Sequence, residues 1–282
     1  MGRTRTMKLA SRLFLTLFLL GSSGVLLTLQ GRQLRNYRND QDSGERMAEF
    51  AFTRLRYPTR GGSAYGNGGY GFGGYGGFGS FRPNNGWSED YPKADRLFVE
   101  GVTRLTRLDA RPYQEVVDPD SDEMFNWPWM YAVNVANWDF NEDQARRMRE
   151  YLLKGGFLVV DSFHGTAEWQ TFLTGMRKIL PERPIEEVDS KDEIFHVLYD
   201  LDQRVQIPGY QFISTGRTYE LDGFDPHWRA IRDDDGRIMV LIGYNMHIGD
   251  AWEHADDPWY PERFSSLAYR LGINYIIYGM TH

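Results

Sequence analysis

Apolar positions along this chain alternate between a period of two and a helical period, and the changes of period mark its elements. From Glu49 to Tyr57, Ala51, Thr53, Leu55 and Tyr57 fall on one side, and Phe50, Phe52, Arg54 and Arg56 on the other, which predicts a strand. Pro92 suits the first position of a helix, and Ala94, Leu97, Phe98, Val102 and Leu105 recur at helical spacing to about Thr106. Tyr113 to Val117 reads as a short strand. Trp129 to Ala136 reads as a largely apolar one, covered on both faces. Asn141 and Gln144 make a capping-box start, Ala145, Met148, Tyr151 and Leu152 form the stripe, and Gly155-Gly156 end the helix. Phe157 to Val160 follow at once as a buried strand ending in Asp161. Strand, helix and buried strand in that order make a βαβ unit and hence a parallel sheet. Thr166 is the expected cap of the next helix, with Trp169, Phe172, Leu173, Met176 and Leu180 on its inner face.

The later part of the chain is antiparallel in character. Trp228 to Arg232 and Arg237 to Tyr244 flank Asp233-Asp234-Asp235-Gly236, a hairpin signal. Ser265 or Ser266 opens a last helix running through Leu267 and Leu271 to Tyr278. Residues 49–282 therefore read as one doubly wound α/β domain with a C-terminal antiparallel extension.

Upstream of that domain the pattern changes. Arg3, Arg5, Lys8 and Arg12 precede the apolar run Leu13 to Leu20, then Gly21 to Gly24 and Val25 to Leu29. A basic flank stays cytoplasmic, so residues 1–31 predict export, as an uncleaved membrane anchor or as a signal peptide without an Ala-x-Ala site. Residues 32–48 are polar and read as a tether. Residues 61–81 are a glycine and aromatic tract that can build no core of its own. It reads as a surface insertion, or as a sticky loop whose Tyr65, Tyr70, Phe72, Tyr75 and Phe78 stack on a partner. It carries the GxGxxG spacing at Gly66-Gly68-Gly71 and Gly71-Gly73-Gly76 but no Walker pattern, and no predicted helix starts directly after it, which argues against a phosphate cradle.

Composition removes several functions. With 41% hydrophobic residues in 282, a sizeable core can form. Beyond residue 31 there are 28 basic against 39 acidic side chains, a net of −11, which disfavours nucleic-acid binding. There is no cysteine, hence no disulfide, thiolate metal site, lipid-modified cysteine or cysteine nucleophile.

The segments FAFTRLRYP, WSEDYPKAD, MFNWPWMYAVNVANWDFNEDQARRMREYLLKGGFLVVDSFHG, DEIFHVLYDL, MHIGDAWEHADDPW and SSLAYRLGINYIIYGMT together resemble the family called domain of unknown function 4159. The resemblance runs over about residues 49–282, with the glycine tract as a departure. It implies a flavodoxin-like, class I glutamine amidotransferase-like sandwich, in envelope proteins that often accompany MoxR-type ATPases and von Willebrand factor A-type proteins. It implies no reaction. Amidotransferase chemistry needs a cysteine after a strand, so the likeness is one of scaffold.

Candidate chemistry gathers where such a sheet binds ligands, outside the carboxyl ends of its strands. Asp161 and His164, with Ser162 between them, follow the buried strand and are the candidate catalytic pair, although Asp161 can equally brace a loop. Arg56 and Tyr57 end the first strand at the same edge and join Asp161 and His164 as candidate ligand-binding residues. His196, among apolar neighbours, reads as buried and hydrogen-bonded. His247, Asp250, Glu253 and His254 can in principle hold a divalent metal, with three of them on one helical face, but they match no zinc signature; an acidic surface loop is the plainer reading, and no cofactor is expected. Asp161 is expected to lie partly exposed in a pocket, near Arg56 or Tyr57 and at least one member of this cluster. Two functions compete: a non-catalytic envelope module that recognises a protein or glycan, and a metal-assisted hydrolase.

Overall fold

A computed structural model describes residues 48–59 and 86–282. The expected anchor and tether, and the glycine tract, lie outside the described residues. Strands β1 (Thr53–Leu55), β2 (Glu115–Val117), β3 (Trp129–Val133), β4 (Phe157–Asp161), β5 (Glu186–Glu187), β6 (His227–Arg232) and β7 (Ile238–Tyr244) form one seven-stranded sheet in the order β2-β1-β3-β4-β7-β6-β5. β2, β1, β3, β4 and β7 run parallel, while β6 pairs antiparallel with β7 and with β5. The fold is thus α/β with a mixed sheet.

Helices cover both faces. Ala145, Met148 and Leu152 of α2 (Glu142–Leu153) and Phe172, Met176 and Ile179 of α3 (Gly165–Ile179) pack on Leu158, Val160, Val240 and Ile242. On the other face lie Phe98 and Val102 of α1 (Lys93–Leu105), Ala251 and Trp252 of α5 (Ile248–Glu253), and Leu271 and Tyr275 of α6 (Glu262–Thr281). A short α4 (Gln211–Thr215) stands before the β6–β7 hairpin. The period-two alternation near residue 50 is realised, with Phe50 and Phe52 in one core and Leu55 and Tyr57 in the other.

Local signals account for much of this. The Asn141–Gln144 capping box is present, with Asn141 Oδ1 accepting from Gln144 N–H at 2.9 Å and Gln144 Oε1 accepting from Asn141 N–H at 3.1 Å. Gly155 follows α2 at φ +105°, a left-handed conformation natural to glycine. Arg237 then donates to the carbonyls of Leu152, Gly155 and Gly156, tying the hairpin to this turn.

Four boundaries differ from expectation. The first strand is three residues long, Thr53–Leu55, not nine. The apolar run from Trp129 leaves the sheet at Val133, because Asn134 turns left-handed (φ +54°) into a 3-10 turn. Thr166 does not cap α3. Asn245 Oδ1 accepts from Gly165 N–H and Asp222 Oδ1 from Thr166 N–H, both at 2.9 Å, so the cap comes from distant loops. The last helix begins at Glu262, after Pro261, where proline suits a helix start.

Candidate functional site

The carboxyl ends of the parallel strands share a backbone peculiarity. β3, β4 and β7 are each followed directly by a non-glycine residue in the left-handed region, namely Asn134 (φ +54°), Ser162 (φ +58°) and Asn245 (φ +61°). Asp90, in the segment entering α1, has φ +60°. Such conformations cost of order 1 kcal/mol each and concentrate at functional sites. Here they turn the chain sharply at one edge of the sheet, where the segment entering α1 meets the loops after β4 and β7.

At the centre is His247, whose side chain has no exposed surface. Its Nε2 lies 2.8 Å from Asp90 Oδ2, and its Nδ1 lies 3.2 Å from Asp250 Oδ2. The second contact is off the line of a hydrogen bond, so Nδ1 has no such partner. Asp250 Oδ2 also accepts from Tyr210 N–H at 2.6 Å, and the Tyr210 ring stacks on His254 at 4.0 Å. Glu89 Oε2 accepts from the Ser162 hydroxyl at 2.9 Å. Ligand atoms of Glu89, Asp90 and His247 lie within 4.8 Å of one another, and so do those of Asp250, Glu253 and His254.

Asp161 is buried, against the expectation of partial exposure. Its Oδ2 accepts from the Tyr131 hydroxyl (2.9 Å) and from the N–H groups of Ile248 (2.7 Å) and Gly249 (3.1 Å). It therefore caps α5 from a neighbouring strand end, the bracing role. The carboxylate cluster is nonetheless beside it, because β7 runs parallel to β4 and delivers His247 to the same edge.

A buried ion pair holds the β1 side in place. Arg54 Nε donates to Asp95 Oδ2 at 2.9 Å, and a second guanidinium nitrogen to Asp95 Oδ1. The third reaches the carbonyls of Trp87 (3.0 Å) and Glu89 (2.8 Å), and the group lies 5.2 Å from the Tyr131 ring centre. Arg54 thus fixes both the segment carrying Glu89 and Asp90 and the ring that binds Asp161.

Protonation follows from this crowding. Burial would lower the His247 pKa, but Asp250 and Asp90 outweigh it and hold the imidazole well above its ordinary value. For Asp90 burial dominates, and despite His247 its carboxyl is pushed up to about 7. Glu253 is also raised to about 7, by burial and then by Asp250. Burial likewise raises Asp161, against the pull of His247. Asp250 goes the other way. Burial opposes ionisation there, but His247 overcomes it and lowers the pKa. Burial lowers His254.

The other expected residues fall as follows. Arg56 pairs with Asp118 (Nε to Oδ1, 2.6 Å), and the Tyr57 hydroxyl sits 2.7 Å from the carbonyls of both Val133 and Asn134. Tyr57 braces the end of β3 from the α2–α3 core, so it does not join the His247 cluster, and Arg56 ties the end of β1 to Asp118 after β2. The reason is the pleat: Tyr57 follows Leu55 into that core. His164 is buried, with Nε2 3.8 Å from Glu220 Oε1. A Cβ placed on Gly209 would stand 3.1 Å from that same Glu220 oxygen and 2.8 Å from Asp250 Oδ2, so His164 adjoins the cluster through Glu220. His196 is hydrogen-bonded to Asp200 and the Ser190 carbonyl but only half-buried, since it lies in a surface turn. His247 and His254 flank α5 as its end residues instead of sharing its face. Glu89, Asp90, Tyr131 and Glu220 were not anticipated. The one sequence signal for the first two was an acidic pair just ahead of a proline-led helix.

The fold and site define an α/β domain with a histidine–carboxylate crevice at the carboxyl edge of its sheet. The family model described as Domain of unknown function (DUF4159) matches residues 75–280, and the chain belongs to that family. A comparison with curated proteins found no match.

Proposed function

We propose that this is an exported cell-envelope domain on a flavodoxin-like, class I amidotransferase-like doubly wound scaffold, acting as a binding or assembly module through its carboxyl-edge crevice. In this reading residues 1–31 carry the domain across the membrane and either anchor it or are removed. Its partner is an envelope protein or glycan, with a MoxR ATPase or von Willebrand factor A-type system as the first place to look. The observation that carries the reading is the convergence of Asp90, Asp161 and the His247–Asp250 pair from three separate segments onto one edge, with their charges buried. Burying that many ionisable groups costs stability, and such groups cluster at ligand sites. The absence of cysteine excludes the amidotransferase reaction itself.

A second reading, a metal-assisted hydrolase, is supported by the two histidine-containing ligand sets and by Ser162, which sits on a strand-to-helix turn bonded to Glu89. It requires a metal at His247.

A membrane-impermeant crosslinker added to intact cells tests the first reading. Wild type is expected to yield a discrete adduct, and Glu253→Gln, at a carboxyl whose charge burial already disfavours, to lose it while keeping its melt. No adduct from wild type, or the same adduct from both, overturns it.

A further inference from the structure

We infer that Glu89, Asp90 and His247 form a binding site for a divalent cation of borderline softness, with zinc as the type. The inference rests on the crevice being the ligand site and says what that ligand is. The three donors come from two loops, 157 positions apart between Asp90 and His247. Their ligand atoms already lie within 4.8 Å of one another. In a tetrahedral zinc site with bonds of about 2.1 Å, donor atoms stand about 3.4 Å apart. Admitting the ion therefore means opening the 2.8 Å contact between His247 Nε2 and Asp90 Oδ2 by a fraction of an ångström.

Charge points the same way. Asp90 and Asp250 flank the His247 imidazole, Glu89 stands with Asp90, and Asp161 and Glu253 act on the ring at longer range, while the nearby Arg54 and Lys93 are already paired with Asp95 and Asp256. Excess buried carboxylate must hold protons or a cation. A mix of imidazole and carboxylate donors selects zinc-like ions over calcium or magnesium, which prefer oxygen alone.

The histidine supplies a second observation. The imidazole has no exposed surface, yet Nδ1 makes no hydrogen bond and is aimed at Asp250, in the adjoining set. With an ion on Nε2, Nδ1 would be the protonated nitrogen, and a small rotation of the ring would bring it into line with Asp250 Oδ2, 3.2 Å away, the carboxylate–histidine–metal arrangement that orients metal-bound imidazoles. Ser162 donates to Glu89 and holds that carboxylate in turn.

The probe is zinc chloride, titrated calorimetrically into chelator-stripped protein at neutral pH. The expected result is one equivalent bound with micromolar or tighter affinity. Glu89→Gln and His247→Gln should each weaken it at least about tenfold, and Asp235→Asn in the distant hairpin should leave it unchanged. Glu89→Gln keeps an acceptor for Ser162, so its melt should match wild type even if His247→Gln fails to fold. No uptake by wild type overturns the inference, as does uptake that survives Glu89→Gln but is lost in His254→Gln. If zinc uptake fails while the crevice-dependent adduct from intact cells persists, the cation falls and the binding reading stands. If both are lost, both fall.

Discussion

Arg54 shows how one side chain can serve both stability and site. It has no exposed surface, and Asp95 meets it with two oxygens. Isolated buried ion pairs rarely add net stability, but breaking one leaves an uncompensated charge. Arg54→Met alone is expected to cost about 3–5 kcal/mol in a denaturant melt. Arg54→Met/Asp95→Leu should recover much of that loss. The double variant should still release the Trp87–Asp90 segment, whose carbonyls Arg54 binds. Equal losses in single and double variants would mean that those carbonyl bonds, and not the ion pair, carry Arg54's contribution. Little of this was legible beforehand. Arg54 alternates correctly within the strand pattern, but nothing near Asp95 marks it as the partner, because the pair is made across 41 positions. Asp161 is the complementary case. Its place at a strand end could be read, but not its burial, which depends on α5 landing upon it.

Among the elements, those with strong local signals were legible: the capping box of α2, the apolar β4, and the Asp-Gly hairpin between β6 and β7. Their boundaries were less so, because non-local contacts set them, as when Asp222 and Asn245 cap α3 in place of Thr166. The packing of α6 on α1 and α5 depends on small residues that its apolar stripe does not announce. A Cβ on Gly272 would stand 2.6 Å from Phe98 and 2.8 Å from Trp252, two rings stacked 4.1 Å apart. Neither ring can withdraw in so crowded a layer. Gly272→Ala should therefore destabilise by about 1–3 kcal/mol through overpacking, despite alanine's better helix propensity. A thermal melt of that variant at or above wild type would show that α6 can shift freely.

At the scale of the whole domain, Glu49–His282 form one compact unit, and its strand order decides what the site contains. β1 and β7 lie on either side of the β3–β4 pair, and the segment 86–92 entering α1 meets the loop after β7 at its carboxyl edge. This brings Glu89 and Asp90 to His247. A sequence reading can place each group at a strand end, but it cannot join them without the order of strands. Proximity in sequence groups His247 with Asp250, Glu253 and His254, and nothing local ties the acidic pair near Pro92 to them.

The central claim is that the carboxyl edge is the working surface, and photocrosslinking in native membranes addresses it most directly. A photoreactive amino acid would replace Ala255, exposed beside His254, or Asp235, exposed in the hairpin turn at the opposite ends of the strands. The account predicts a discrete adduct from position 255 and none from position 235. Adducts from position 235 alone, or equally from both, would contradict it.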